Sequence, residues 1–384
     1  MKSQFLLAAV SVSLIFSGIP HSTASIREEC ILQTPNSGNL STGVDLSFPR
    51  PSYLPNSSNP LKVLVLPVSF KDKKYLDSDL DRAKLDLKKV NSFYSAQSYG
   101  KVGVKFNFAL KKYWVQVPLN IADHKLKANF RDYSIGRKYI QEIYDMSSPD
   151  LKLSDFDLVL LQTKHWEKYS ITQIYPVDHY QTPSGEVNQT IFWSGIAVGD
   201  YAALSHEIAH AWLGLVDTYI HPWNRSISEV KERLGVGPWD IMGGYEAQEL
   251  FAYHRLLAGW LREDQVFCNA LQKSVNEYSI SPIEVADGNS KAIITKLSDT
   301  KLLVIESRKR FGYDYVADEG ILAYTVDSTI PNGMGPINIF KLYRKGKVVK
   351  NGLLHRGESL KQPDFKVTFL GNKSPLSKVR IEIY

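Results

Sequence analysis

The segment that most constrains this chain is DYAALSHEIAHAWLGLVDTY, residues Asp200–Tyr219. Apolar side chains recur along it at helical spacing, and Asp200 is a residue type that caps helix N-termini. On such a helix His206 and His210 lie one turn apart on the same face. Two imidazoles at that spacing can each place a nitrogen about 2.0–2.1 Å from one zinc ion. The segment therefore predicts a helix that carries two ligands of a zinc site.

Glu207 follows the first of these histidines directly. Zinc lowers the pKa of a water molecule that it binds toward about 7, and a neighbouring carboxylate can take the proton as the water attacks a carbonyl. We therefore predict that Glu207 is a general base and not a metal ligand. The alternative reading of the HExxH pattern alone is a pair of core histidines on a buried helix.

The N-terminus has the pattern of an export signal. Lys2 precedes an apolar run from Phe5 to Phe16, and small residues then lead to Ala24. The run is shorter than the roughly 20 residues that cross a membrane as a helix. We predict a signal peptide over residues 1–24, a secreted (extracellular) protein and no membrane span.

The chain contains two cysteines, Cys30 and Cys268. Two lone cysteines in an oxidising compartment usually pair, which favours a disulfide between the start of the mature chain and a distant segment. The alternative is a Cys30 thiolate that binds the metal and keeps the site latent.

The patterning divides the rest of the chain into three parts. Residues 25–60 are rich in Pro, Ser and Asn and predict an extended arm or a short propeptide. Residues 61–266 alternate between strand and helix patterns, which indicates an α/β layer, and the domain that we predict there is α+β with a twisted sheet. Residues 267–384 consist of short alternating runs separated by turn residues, typical of a β-sandwich-like domain. The elements predicted in the α+β part include strands at Leu61–Phe70, Val102–Phe108 and Asp157–Gln162 and helices at Asp77–Ala96 and Asp132–Met146.

The formal net charge is +6 with a pI near 8.9, which is mild for 384 residues. This balance favours solubility and does not indicate a nucleic-acid partner. The sequence has no G-x-S-x-G elbow, no Walker loop and no dinucleotide-binding fingerprint. We expect a monomer that acts on protein or peptide substrates.

Four motifs along the chain carry a more specific signal. They are FYSAQSYG at Phe93–Gly100, GLVDTY at Gly214–Tyr219, PWDIMGGY at Pro238–Tyr245 and LLAGWL at Leu256–Leu261. Each is similar to a motif of the immune inhibitor A family of secreted zinc metallopeptidases, which are metzincin-like, and the strand-like IESR and DEGILAYTVD further along continue the likeness. The resemblance covers roughly residues 61–345. It implies a metzincin-like zinc peptidase domain and an endopeptidase that hydrolyses peptide bonds with a zinc-bound water activated by a glutamate.

The resemblance also assigns roles to individual residues. It implies that His206 and His210 are zinc ligands, that Glu207 is the general base and that Asp217 is the third ligand. Met242 matches the methionine of the turn beneath the metal, where its role is packing.

One feature departs from the family pattern HExxHxxGxxD. Gly214 and Asp217 each lie one position further from His206 than that pattern has them. One extra residue rotates an α-helical face by about 100°. The third ligand is therefore open at this point between Asp217 and the alternatives Glu249, Glu246 and His221.

Further expectations rest on position and composition. Tyr245 or Tyr219 is placed to stabilise the oxyanion of the reaction, with a buried aromatic as the alternative for each. Gln189–Ile196 is predicted to be an edge strand along which a peptide lies. Calcium binding is left open. The alternative function is a secreted binding or adhesion protein that has a degenerate, pseudo-peptidase metal site because of the altered spacing.

Overall fold

In a computed structural model of the chain, the described residues are 27–33, 46–123, 133–164, 172–175, 179–193, 201–221, 224–225, 236–244, 249–314, 318–349 and 352–384. The predicted signal peptide, residues 1–24, lies outside these ranges, as do residues 34–45 of the predicted arm. Among the helices described, none is both long enough and apolar enough to cross a bilayer.

The fold is mixed α/β, with several sheets and little helix. The helices are α1 (Asp77–Gln97), α2 (Tyr133–Asp145), α3 (Tyr201–Ile208) and α4 (Ala252–Leu257). The strands before residue 200 are β1 (Leu61–Ser69), β2 (Val104–Phe108), β3 (Val115–Gln116), β4 (Leu158–Thr163), β5 (Thr172–Tyr175), β6 (Tyr180–Thr182), β7 (Gly185–Val187) and β8 (Thr190–Trp193). The later strands are β9 (Val266–Ala270), β10 (Ser274–Ile280), β11 (Ala292–Ser298), β12 (Lys301–Arg308), β13 (Gly320–Asp327), β14 (Ile337–Ile339), β15 (Leu342–Arg344), β16 (Lys347–Val349), β17 (Leu353–Leu354), β18 (Ser359–Lys361), β19 (Phe365–Lys373) and β20 (Leu376–Ile383).

The first sheet has the strand order β2-β1-β4-β8-β5, and β3 pairs with β1. β1 runs parallel to β2, β3 and β4, and β4 runs parallel to β8. Parallel strands are covered on both faces, which is why β1 is an almost continuous apolar run. The strands and helices predicted in the first 165 residues are confirmed, with bounds that differ by at most two residues.

Helix α1 packs on this sheet through the face that its sequence periodicity predicts. Leu87, Val90 and Tyr94 are buried in one core with Val63 of β1 and Leu160 of β4. The Tyr94 hydroxyl also donates a hydrogen bond of 2.5 Å to the Ser205 carbonyl on α3. Helix α3 is thereby joined to α1, and its Leu204 and Ile208 lie in the same core as β1 and β4.

The C-terminal half contains two larger sheets that share a core. One has the order β10-β20-β19-β18, and the other has the order β14-β13-β12-β11-β9 with β17 beside β13. Leu303 and Ile305 on β12 lie in the same core as Val367 on β19 and Val379 on β20. The two sheets therefore pack face to face.

The opposite face of β12 contacts residues that precede β9. Leu302 and Val304 lie in a core that also contains Trp239 and Phe251. Because side chains alternate between the faces of a strand, β12 is apolar on both sides and buried almost throughout. The domain boundary at residues 266 and 267 stays a prediction, and this core includes residues from both sides of it.

The predicted pairing of Cys30 with Cys268 is confirmed. The two residues form a disulfide with a Cα–Cα distance of 5.3 Å across 238 positions of sequence. Cys30 is fully buried beside β9. The disulfide leaves no thiolate at Cys30, so the latency alternative is wrong.

Residues 46–60 of the arm pack behind the segment that carries the histidines. The Trp212 indole N–H donates to the Asn56 carbonyl at 3.4 Å, and the Trp260 indole N–H donates to the Ser57 carbonyl at 3.0 Å. Arg50 donates to the carbonyls of Trp212 and Leu213. Burial lowers the pKa of Arg50 to about 10, so the side chain stays charged at neutral pH. A cation at these carbonyls complements the partial negative charge at the end of a helix.

Candidate metal centre

The helix geometry changes to accommodate the extra residue between His210 and Gly214. Helix α3 continues into a π-helical turn over Ala209–Leu213. A π turn holds more residues than an α turn, and such turns are frequent at functional sites. Gly214 then ends the helix with φ 70°, a left-handed conformation that glycine adopts without a steric cost. The predicted rotation of about 100° therefore does not carry Asp217 away from the histidines.

Three side chains meet at one point. The Nε2 atoms of His206 and His210 are 3.1 Å apart. Asp217 Oδ1 lies 2.9 Å from His206 Nε2 and 3.3 Å from His210 Nε2. All three residues are buried, and their ligand atoms lie within 4.8 Å of one another. Atoms held about 2.0–2.1 Å from one ion at tetrahedral angles are roughly 3.3 Å apart, so the observed separations suit a single metal ion.

The hydrogen bonds on the far side of each ring fix which nitrogen faces this point. His206 Nδ1 lies 2.9 Å from the Ile241 carbonyl, and His210 Nδ1 lies 2.5 Å from the Leu215 carbonyl. A carbonyl only accepts, so each Nδ1 carries the proton. Each Nε2 faces the Asp217 carboxylate and the other ring, and in a neutral ring of this tautomer Nε2 carries the lone pair that a metal ion would accept. These three side chains could hold a metal ion between them, and nitrogen and carboxylate ligands fit zinc.

In the metal-free protein, protons on the histidine rings interact with the Asp217 carboxylate. Burial alone would raise the pKa of Asp217, but His210 and the hydrogen bonds from His206 and His221 outweigh it and hold the pKa well below 3.8. Burial alone would lower the pKa of His210, but the charge and hydrogen bond of Asp217 and the Leu215 carbonyl raise it above 6.5. In the metal-free protein each of the two residues therefore favours the charged form of the other.

We expect zinc to stabilise the protein more as the pH rises. The raised pKa of His210 stabilises the metal-free fold fully below pH 6.5, and this contribution is lost as the pH rises through the folded-state value. Zinc competes with the same proton, so its binding strengthens over that range. The increase in melting temperature on adding zinc should be larger at about pH 8 than at about pH 5.5. An increase that does not change with pH, or that persists in Asp217→Ala, would contradict this interpretation.

The alternative ligands lie elsewhere or in a second layer. Glu249 is buried in an ion pair with Arg255 and accepts a 2.9 Å hydrogen bond from the Tyr313 amide. His221 Nε2 lies 2.9 Å from Asp217 Oδ2, the oxygen that faces away from His206. Glu246 and Tyr245 are outside the described residues. Among the described residues the cluster of potential ligands consists of His206, His210 and Asp217.

The loop that contains Met242 supports the first histidine through its backbone. Asp240 Oδ1 accepts from the Met242 amide at 2.8 Å, and its Oδ2 accepts from the Phe251 amide at 2.6 Å. This fixes the turn whose Ile241 carbonyl meets His206. Met242 itself is fully buried in the core. Sequence reasoning singled out the methionine but missed Asp240, whose only signal was its place in the PWDIM motif.

Two other predicted residues have defined positions. Glu207 is 7% exposed and lies on α3 next to His206. The Tyr219 ring centroid is 6.2 Å from that of His206 and 5.0 Å from that of His221. The roles predicted for both residues stay predictions.

The expectation of an edge strand at Gln189–Ile196 is wrong for the described part of that segment. Strand β8 has β4 on one side and β5 on the other. Among the described residues the sheet instead ends at β5, which runs antiparallel to β8. An apolar run such as TIFW is typical of an interior strand, because both of its faces are covered.

Comparisons with known proteins give weak matches only. No protein-family model matches the chain, and no curated protein matches it. Among solved structures, it is similar to catalytically inactive OgpA from Akkermansia muciniphila in complex with an O-glycopeptide (glycodrosocin) substrate, with a TM-score of 0.29, 11% identity and coverage of 82% of this chain and 88% of that chain. It is also similar to wild-type OgpA from the same organism, with a TM-score of 0.26, 12% identity and coverage of 82% and 89%. At these scores the likeness carries no argument, and the resemblance to the immune inhibitor A family is supported by the sequence motifs alone.

Proposed function

We propose that this protein is a secreted zinc endopeptidase similar to the immune inhibitor A family, with a metzincin-like catalytic domain. The observation that carries the proposal is the convergence of the Nε2 atoms of His206 and His210 with the buried Asp217 carboxylate. His206, His210 and Asp217 would hold the ion. When bound, zinc acts as a Lewis acid that polarises the scissile carbonyl and makes water more acidic.

In this proposal the remaining chemistry belongs to Glu207. Glu207 directly follows His206 on α3. Glu207 takes a proton from the attacking water and passes it to the amine that leaves when the peptide bond breaks. Tyr219, whose ring lies near His206, is a candidate for stabilising the oxyanion.

The same proposal covers the domains of the chain and its export. We propose residues 61–266 as the peptidase domain, residues 267–384 as the β-sandwich-like domain, and export directed by residues 1–24. The disulfide supports an oxidising compartment. The alternative of a secreted binding protein with a degenerate metal site depended on the altered spacing after His210. The π turn removes that reason for preferring it, because it offsets the extra residue.

The proposal is tested by zinc-dependent cleavage of a general protein substrate. Purified mature protein should contain about one zinc ion per chain and cut casein at internal bonds. A chelator should abolish cleavage, and added zinc should restore it. Zinc-free protein that stays inactive after loading, or products trimmed one residue at a time from an end, would contradict the endopeptidase assignment.

A further inference from the structure

The segment that carries Asp217 has no regular secondary structure of its own. After the π turn, residues 214–218 are neither helix nor strand. No helical or strand hydrogen-bond ladder fixes the backbone of a ligand on such a segment, so its position depends on contacts with neighbouring segments. The Thr218 amide donates to the Met242 carbonyl at 2.9 Å, which ties one end of the segment to the turn beneath the site. Contacts to Asp217 itself come from the β-rich residues after 266.

The loop between β13 and β14, residues 328–336, supplies these contacts, and we call it the β13–β14 loop. Asn332 Oδ1 accepts a 2.6 Å hydrogen bond from the Asp217 amide. The Gly333 amide donates to the Asp217 carbonyl at 3.2 Å. Both backbone polar groups of the ligand are therefore bonded to two consecutive residues of this loop.

The same loop also fixes His221. The His221 amide donates to the Gly333 carbonyl at 2.9 Å, and the neighbouring Ile220 forms an isolated antiparallel bridge with Met334. Gly333 has φ +69°, and a Cβ there would lie 2.2 Å from the His221 ring. Only glycine suits this position, both for its backbone conformation and for the close approach of the ring.

His221 in turn contacts the carboxylate of the ligand. Its Nε2 lies 2.9 Å from Asp217 Oδ2, while Oδ1 of the same carboxylate faces His206 and His210. A hydrogen bond at the far oxygen orients a ligating carboxylate, as outer-layer partners of metal ligands commonly do. Asp217 is thus held at its amide, its carbonyl and its second carboxylate oxygen.

We propose that the β13–β14 loop positions Asp217 for metal binding, with Asn332, Gly333 and His221 as positioning residues. The proposal rests on the proposed function, because it takes Asp217 to be a zinc ligand. It gives the β-rich residues 267–384 a part in the metal centre beyond packing. Asn332 and Gly333 of the Pro-Asn-Gly turn contact Asp217 directly.

The test is the affinity of the full mature chain for zinc, measured by competition with a chromogenic chelator. Asn332→Ala removes the acceptor of the Asp217 amide and should weaken zinc binding by about 10–100-fold. Asn332→Asp retains an acceptor at this place and should recover the affinity. Thr329→Ala is the matched control, because Thr329 lies in the same loop and bonds to Asp327. The control should bind zinc like the wild type.

Two further readouts separate positioning from a general loss of structure. The melting temperature of metal-free Asn332→Ala should stay close to that of metal-free Thr329→Ala. The visible absorption of the cobalt-substituted variant should differ from that of the wild type, because the Asp217 carboxylate is displaced in the coordination sphere. Equal zinc affinity and equal cobalt spectra for wild type and Asn332→Ala would overturn the positioning role. Failure of the wild type itself to bind zinc or cobalt would instead overturn the proposed function.

Discussion

Replacing Glu207 with glutamine should lower kcat/KM for peptide cleavage by about 10²–10⁴-fold, the usual contribution of a general base. The amide cannot take the proton of the attacking water, while its size and shape are nearly those of the carboxylate. Zinc content should stay at the wild-type level, because His206, His210 and Asp217 form the ligand cluster. The measurement is a rate assay on zinc-loaded protein together with metal analysis of the same sample.

Glu277→Gln is a suitable control for this variant. Glu277 lies on β10 and pairs with Lys378 and Arg380 at the protein surface. The control should cleave at the wild-type rate. A Glu207→Gln enzyme that retains wild-type activity would mean that another group activates the water, and a variant that loses its zinc would mean that Glu207 is a ligand.

The second large effect concerns the third ligand. Asp217→Ala should abolish stoichiometric zinc binding, because it leaves two histidines and opens the buried site. Glu249→Gln should leave zinc binding intact. Its expected effect is on stability, since Glu249 is 3% exposed and pairs with the fully buried Arg255. Weakening a hydrogen bond to such a charged group should lower the free energy of unfolding by about 1.5–3 kcal/mol.

Metal analysis and denaturant unfolding of both variants distinguish the two roles. The expected pattern is zinc loss in Asp217→Ala and a loss of stability with zinc retained in Glu249→Gln. The reverse pattern would make Glu249 the ligand and would require the Glu249–Arg255 pair to open when the metal binds.

Much of the fold could be predicted because its signals are local. The spacing of Leu87, Val90 and Tyr94 indicates the buried face of α1, and the structure buries all three residues. The continuous apolar run Leu302–Ile305 of β12 likewise reflects burial on both faces. The position of a strand within its sheet is not local. It depends on which strands lie beside it, and the prediction of an edge strand at β8 was wrong for that reason.

The metal centre was predictable only in part. His206 and His210 follow from the α-helical period, but the reach of Asp217 depends on a π turn that the period does not describe. The backbone carbonyls of Ile241 and Leu215 that orient the rings carry no residue-type signal. Asn332 is 115 positions from Asp217 along the chain, and its sequence marks only a turn.

The most direct test of the zinc centre is anomalous diffraction at the zinc edge from crystals of the zinc-loaded mature chain. We predict one strong peak about 2.0–2.2 Å from His206 Nε2, from His210 Nε2 and from one Asp217 carboxylate oxygen. A zinc ion bound by other residues, or no peak between these three side chains in protein that is otherwise folded as described, would contradict the account.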